Sequence, residues 1–306
     1  MTKYVVFGYI GFNNFGDEAI TQVVVDKLKS NTKNQITVIS SNPSDTKQKY
    51  KVESCGMLEF FLPILKADIL ISGGGSLLQS VTSFKSLLYY LGVIWFALIL
   101  GKKVELHAQG IGPIDSFAGK LLTKFTLKFV SKITVRDKKS QELLSNWKIQ
   151  SNLVKDPIFE ISIPEKEKNE TVGIQLRNCR QIDDNFLNLL ANSVTKYFGD
   201  KKIEIFSLQD SCDIDICNKF ANILKEKQVK SQIHRFESVE KTIEDISALK
   251  YLIAMRFHAN VIGIKAGARI ICINYDPKVQ KLAEEYNLPY INFENNNFTE
   301  QFKQIL

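Results

Sequence analysis

The residues that could do chemistry gather at the ends of apolar runs. In "YLIAMRFHANVIGIKAG" (251–267) a strand ends at Met255, and Arg256 and His258 follow it. Side chains two apart in an extended chain project to one side. The helix expected over 259–266, stopped by Gly267, aims its free N–H groups at the same spot. Lys278 follows the next strand in "NYDPKV" (274–279), where a turn returns its ammonium to the strand end. A guanidinium, an imidazole, an ammonium and a helix N-terminus describe a site for a charged anion. A lone histidine is more often structural, so the grouping carries the argument.

A second constellation poses the opposite problem. "GYIGFNNFGDEAI" (8–20) carries Gly8, Gly11 and Gly16 and opens a helix at Asp17. Such loops usually cradle a phosphate on backbone N–H groups. This one lacks the Lys-Ser/Thr pair of a P-loop and misses the G-x-G-x-x-G spacing of a dinucleotide site. Asp17 and Glu18 also place two carboxylates where an anion would sit.

Three more loops leave strand ends. Gly73, Gly74, Gly75 and Ser76 form either a phosphate nest or a tight turn that needs positive φ. Gln109, Gly110, Ile111, Gly112 and Pro113 bring backbone close to a ligand or make a rigid turn. Arg136 is an anion clamp or half of a surface pair with Asp137, which is placed to cap a helix over 138–144. His107 reads as a satisfied core or wall residue and His234 as a surface one.

The elements that must position these residues alternate between short apolar strands and helical stretches. Strands are expected at 4–7, 36–40, 69–72, 103–107 and 133–135. A charged, proline-marked linker at 163–170 follows, then strands at 172–176, 203–207, 233–236, 251–254 and 270–274. The pattern predicts an α/β fold of two doubly wound Rossmann-like domains, 1–163 and 171–306, facing a cleft. Ligands of such sheets bind outside the carboxyl ends of the strands. A short polar loop is expected at 295–297.

Composition sets the outer bounds. The 306 residues are 44% hydrophobic and 24% charged, as in an ordinary globular protein with room for two cores. A net charge of +7 and a pI near 9.0 permit polyanions or anionic lipid as partners. The lysines are scattered rather than striped, so nucleic acid is not expected. The five cysteines include no C-x-x-C pair and no His/Cys cluster, which predicts reduced thiols in the cytosol and no metal site. The N-terminus runs straight into a strand, so no leader is expected. The apolar run 86–100 is too short to span a bilayer comfortably. A buried helix is the reading for it, with contact at the membrane surface as the alternative.

Six stretches in one order carry a resemblance: "GYIGFNNFGDEAI", "LISGGGSLLQSVTS", "AQGIGP", "TVRDKKS", "MRFHA" and "NYDPKV". Together they resemble the polysaccharide pyruvyl transferase family, CsaB type, over most of the chain. The chain has Phe257 and Asn260 where leucines are commoner, and Asn13 for a usual glycine. The resemblance implies a GT-B-like fold and transfer of pyruvyl from phosphoenolpyruvate to a sugar as a ketal, with no further cofactor. It implies as acceptor an N-acetylmannosamine of a lipid-linked cell-wall polymer precursor. That lipid would be met at the cytoplasmic face of the membrane, and the ketal would serve surface-layer attachment.

Carried over by position, the resemblance implicates Asp17, Arg136, His258 and Lys278 in catalysis. It assigns Arg256, Gly11, Gly16, Gly74, Gly75 and Gln109 to substrate binding. Phosphoenolpyruvate, at roughly −2.5 to −3 charge, suits Arg136, Arg256, His258 and Lys278. The acidic loop would then face the sugar, with Asp17 taking a hydroxyl proton. A GT-B glycosyltransferase using a nucleotide sugar and a catalytically silent sugar-binding protein are the competing readings. A nicotinamide oxidoreductase would need the missing G-x-G-x-x-G.

Overall fold

The computed structural model describes residues 1–81, 83–293 and 298–306. The loop expected at 295–297, and Thr82 of the glycine-rich stretch, lie outside the described residues. The chain divides into two compact units, Met1–Ile161 and Ser162–Leu306.

The first unit is a parallel sheet of β1 (Lys3–Phe7), β2 (Gln35–Ser40), β3 (Glu53–Gly56), β4 (Ile69–Ser72), β5 (Lys103–Gln109), β6 (Lys132–Val135) and β7 (Asn152–Leu153). Its strands lie in the order β3-β2-β1-β4-β5-β6-β7. The helices are α1 (Phe15–Lys29), α2 (Pro43–Tyr50), α3 (Phe61–Lys66), α4 (Phe84–Ile99), α5 (Phe117–Leu127) and α6 (Lys138–Asn146). Alternation along β1 feeds two cores. Val5 and Phe7 pack with Leu87, Leu91 and Ile94 of α4, whereas Val6 packs with Val24 and Val25 of α1. The strand order reverses between β1 and β4, the topological switch point at which such sheets bind ligands.

The second unit repeats the plan with β8 (Asn169–Gln175), β9 (Ile203–Ser207), β10 (Ser231–Arg235), β11 (Leu249–Ala254), β12 (Arg269–Asn274) and β13 (Tyr290–Asn292). Their order is β10-β9-β8-β11-β12-β13, again all parallel, with the switch between β8 and β11. Helices α7 (Asp184–Phe198), α8 (Asp210–Glu226), α9 (Val239–Ser247), α10 (Phe257–Lys265), α11 (Pro277–Glu285) and α12 (Phe298–Ile305) cover it. Its core, from Val172 through Phe220 to Phe302, is its own.

Two expectations need correction. The sheets have seven and six strands, because β3, β7 and β13 were not expected. The run 86–100 is indeed helical, within α4, but it is not buried all round. Leu87, Tyr90, Leu91, Val93, Ile94 and Ala97 are buried, while Leu88 and Ile99 stand in solvent. No helix among the described residues is long and apolar enough to cross a membrane.

Candidate functional site

In the first unit the loops after β1, β4, β5 and β6 interlock. α1 starts at Phe15, two residues before the expected Asp17, because the Asn14 side chain accepts the Gly16 N–H at 3.1 Å. Asp17 and Glu18 then occupy the first turn, where the helix dipole favours carboxylates. The two acids are not equivalent. Glu18 is buried, accepts the Gly11 N–H at 2.8 Å and the Tyr50 hydroxyl, and so pins the glycine loop. Burial raises its pKa above 4.5, and hydrogen bonds from Tyr50 and Gly11 offset part of that rise. Asp17 is half-buried beside the next loop, and a Cβ added at Gly75 would lie 2.8 Å from its Oδ1. Burial, and then the charge of Asp17, push the Tyr90 hydroxyl well above its usual range.

Gly74 and Gly75 both hold positive φ, +86° and +85°, a conformation that glycine adopts without strain. The Gly75 carbonyl accepts from Gln109 Nε2 at 3.0 Å and from the Gly110 N–H at 2.8 Å. Gln109 is fully buried, and its Oε1 has no hydrogen-bond partner among the described residues. Ser76 Oγ accepts from Arg136 Nη2 at 3.0 Å. The other arm of Arg136 meets Asp156 Oδ2 at 2.6 Å, a pair nearly excluded from water. Arg136 is therefore no surface partner of Asp137, which caps α6 by accepting the Ser140 N–H at 2.9 Å. Gly11, at φ +83°, packs so closely that a Cβ would meet Ser40 Oγ at 2.2 Å. Asn13, in place of the usual glycine, adopts φ +53°, which asparagine tolerates. His107 is not satisfied as expected. Its Nε2 is buried with no hydrogen-bond partner among the described residues, and burial together with the charge of Lys27 lowers its pKa.

In the second unit Arg256 and His258 are not two apart in extended chain, for only Arg256 is extended. Arg256 is the N-cap residue of α10 and His258 is in its first turn. The Arg256 N–H reaches Gln175 Oε1 at 2.7 Å, and its guanidinium turns inward. It holds buried Asp213 in a fork, at 2.8 Å from Nε and 2.7 Å from Nη2, and adds Gln209 Oε1 at 3.2 Å. Asp213 Oδ2 also accepts the N–H groups of Leu208 and Gln209, so the pair anchors the start of α8. Asn260, standing where leucine is commoner, donates to the carbonyls of Ala254 and Arg256 at 3.1 Å each. The Cys272 thiol donates to its Oδ1, joining α10 to β12.

Arg177, just past β8, carried no local signal in the sequence. Its guanidinium lies 5.6 Å from the Tyr275 ring centroid and 3.3 Å from the Tyr275 hydroxyl, at the end of β12. Lys278 is exposed in the first turn of α11, which Asp276 caps by accepting its N–H at 2.8 Å. The segment 275–278 is thus a helix start rather than a free turn. His234 is half-buried, stacked on Phe206, with Glu204 and Asp245 carboxylates each 3.7 Å from its ring nitrogens, and so is no surface residue. The strand ends of β8, β11 and β12 therefore gather Arg177, Arg256, His258 and Lys278 with the N-termini of α10 and α11, an arrangement able to hold an anion.

Comparison with known proteins places this architecture. Its solved structural neighbours include the UDP-GlcNAc 2-epimerase of Methanocaldococcus jannaschii, with TM-score 0.67 and 10% identity, covering 100% of this chain and 92% of that one. The Neisseria meningitidis UDP-GlcNAc 2-epimerase bound to UDP-GlcNAc matches with TM-score 0.66, 12% identity and coverage of 99% and 91%. S. aureus MnaA with UDP gives 0.69, 10% identity and coverage of 99% and 87%. The class is thus the GT-B type, two parallel-sheet α/β units. A search of curated proteins finds no match in sequence. The family model for polysaccharide pyruvyl transferase matches residues 14–277, and the chain belongs to that family.

Proposed function

We propose that the protein transfers pyruvyl from phosphoenolpyruvate to a sugar as a ketal, releasing phosphate. We take the acceptor to be an N-acetylmannosamine of a lipid-linked cell-wall precursor. The observation that carries this reading is the family match over 14–277. The charge of the two strand-end clusters supports it. Arg177, His258, Lys278 and the helix N-termini of the second unit would take the phosphate and carboxylate of the donor. Arg256, committed to Asp213, would position α10 rather than clamp the donor itself. In the first unit Asp17 would accept the proton of the attacking sugar hydroxyl, while Arg136 holds the Gly75–Ser76 loop in place.

The chemistry runs in balanced steps. C3 of the enol takes a proton, for which His258 is the donor, as a sugar oxygen bonds to C2. The C2–O bond to phosphate breaks, cations stabilising the leaving group, and a second hydroxyl closes the ketal, its proton passing to the departing phosphate. Phosphate release from phosphoenolpyruvate in the presence of an aryl N-acetylmannosaminide tests the reading. His258→Ala should cost about 10²–10⁴-fold in kcat. Asp17→Asn should lower kcat and leave phosphoenolpyruvate binding near that of the parent.

A second reading, a nucleotide-sugar enzyme, is favoured by the neighbours with UDP or UDP-GlcNAc bound. Calorimetric binding of a UDP-sugar with none of phosphoenolpyruvate would decide for it.

A further inference from the structure

Helices α3, α4 and α5 carry apolar side chains that the described residues leave in solvent. Leu58, Ile99 and Phe117 are 78%, 76% and 82% exposed, and Phe61, Leu65, Leu121, Phe125 and Phe129 are more than half exposed. The patch is continuous. Phe61 packs edge-on against Phe96, and Trp95, next along α4, stacks on Phe125 at 5.6 Å and meets Phe129 at 5.8 Å. Between α3 and α4 runs an apolar groove lined by Leu58, Phe61, Leu88, Gly92, Phe96 and Ile99. Exposed apolar surface of this extent on a globular protein marks a contact surface.

Charge identifies what it contacts. In "FAGKLLTKFTLKF" (117–129) Phe117, Leu121, Phe125 and Phe129 recur every four residues and make one stripe along the helix and its exit. Lys120, Lys124 and Lys128 make a parallel stripe beside it. Segments 84–104 and 116–133 hold seven lysines (85, 102, 103, 120, 124, 128, 132) and no Asp or Glu. Along α4 and α5, aromatic and leucine side chains flanked by lysines, with no acid in either segment, suit the boundary between acyl chains and anionic headgroups, while exposed Glu59 stands at the α3 edge of the face. A second copy of the chain would set lysines against lysines across the contact. A spanning helix is not needed, because the face would lie in the membrane surface.

We infer that this face of the first unit docks on an anionic lipid bilayer. The inference rests on the face alone and needs neither donor nor acceptor. Its failure would leave the pyruvyl transferase reading standing, and failure of that reading would leave this one standing.

The test is flotation of the full chain with vesicles of phosphatidylcholine, alone or mixed with phosphatidylglycerol. The protein should float with the mixed vesicles and much less with the neutral ones, and less again as salt rises. Phe117→Glu with Leu121→Glu should lower the bound fraction at least about tenfold, both sites being exposed and each lost apolar contact costing affinity. Lys120→Glu, Lys124→Glu and Lys128→Glu together should do the same by charge alone. This triple variant keeps the inference testable should the first unfold on heating earlier than the parent. Equal flotation with both vesicle types, no flotation, or unchanged flotation of folded variants would overturn it. So would a concentration-dependent dimer, seen by sedimentation, that the same substitutions abolish.

Discussion

Gly75 shows how much one residue can tie down. Its carbonyl takes two hydrogen bonds from the β5 loop, its φ is positive, and its missing Cβ leaves room for Asp17. Gly75→Ala should therefore lower stability by about 1–3 kcal/mol through backbone strain and lower kcat by displacing the Asp17 carboxylate. Denaturant unfolding and phosphate-release kinetics measure the two effects. Glu18 permits a prediction in pH. Its folded pKa lies above its ordinary 4.5, so the folded state holds the proton longer than the unfolded one. Its contribution is most favourable below pH 4.5 and falls as pH rises through the folded value, beyond which the buried charge carries its full cost. Glu18→Gln keeps an acceptor for the Gly11 N–H and cannot ionise. Urea unfolding from pH 4.5 upward should show a shallower loss of stability for this variant than for the parent.

Among the elements, α10 owes its position to a pair 43 residues apart in sequence, Arg256 and Asp213. Arg256→Ala would leave a buried carboxylate uncompensated and should cost about 3–5 kcal/mol by denaturant unfolding. Arg177→Ala should leave stability closer to the parent and raise the KM for phosphoenolpyruvate. If instead Arg256→Lys raised that KM with unchanged stability, the positioning role would be wrong. Elements of this kind were unevenly legible in the sequence. The nine central strands announce themselves as apolar runs, because both of their faces are covered, and the edge strand β10 shares enough of that pattern to be expected with them. The other edge strands, β3, β7 and β13, do not. "ESCG" and "NL" lack an apolar pattern and take their order from the neighbouring strand's hydrogen bonds. Asp17, His258 and Lys278 stand out through company at a strand end. Asp156, Asp213 and Arg177 have no such local context, since their partners Arg136, Arg256 and Tyr275 are distant in the chain.

At the scale of the molecule, each unit holds buried apolar clusters of its own, centred on β1 and its neighbours in the first and on β8, β9, β11 and β12 in the second. A chain of residues 162–306 should therefore fold alone. Cooperative thermal unfolding by circular dichroism would show it, and a gradual, featureless melt would refute it. The interlocked loops of the first unit also bear on descent. Asp17, Gly75, Gln109, Arg136 and Asp156 come from five separate parts of the chain, yet Asp17, Gln109 and, through Ser76, Arg136 all fit the Gly75 loop, and Arg136 fits Asp156, by contacts that tolerate little change. A substitution at one of these positions is acceptable only with answering changes at its neighbours. Across relatives these five positions should vary as a set or stay fixed together, and new acceptor specificity should arise instead at positions outside that set.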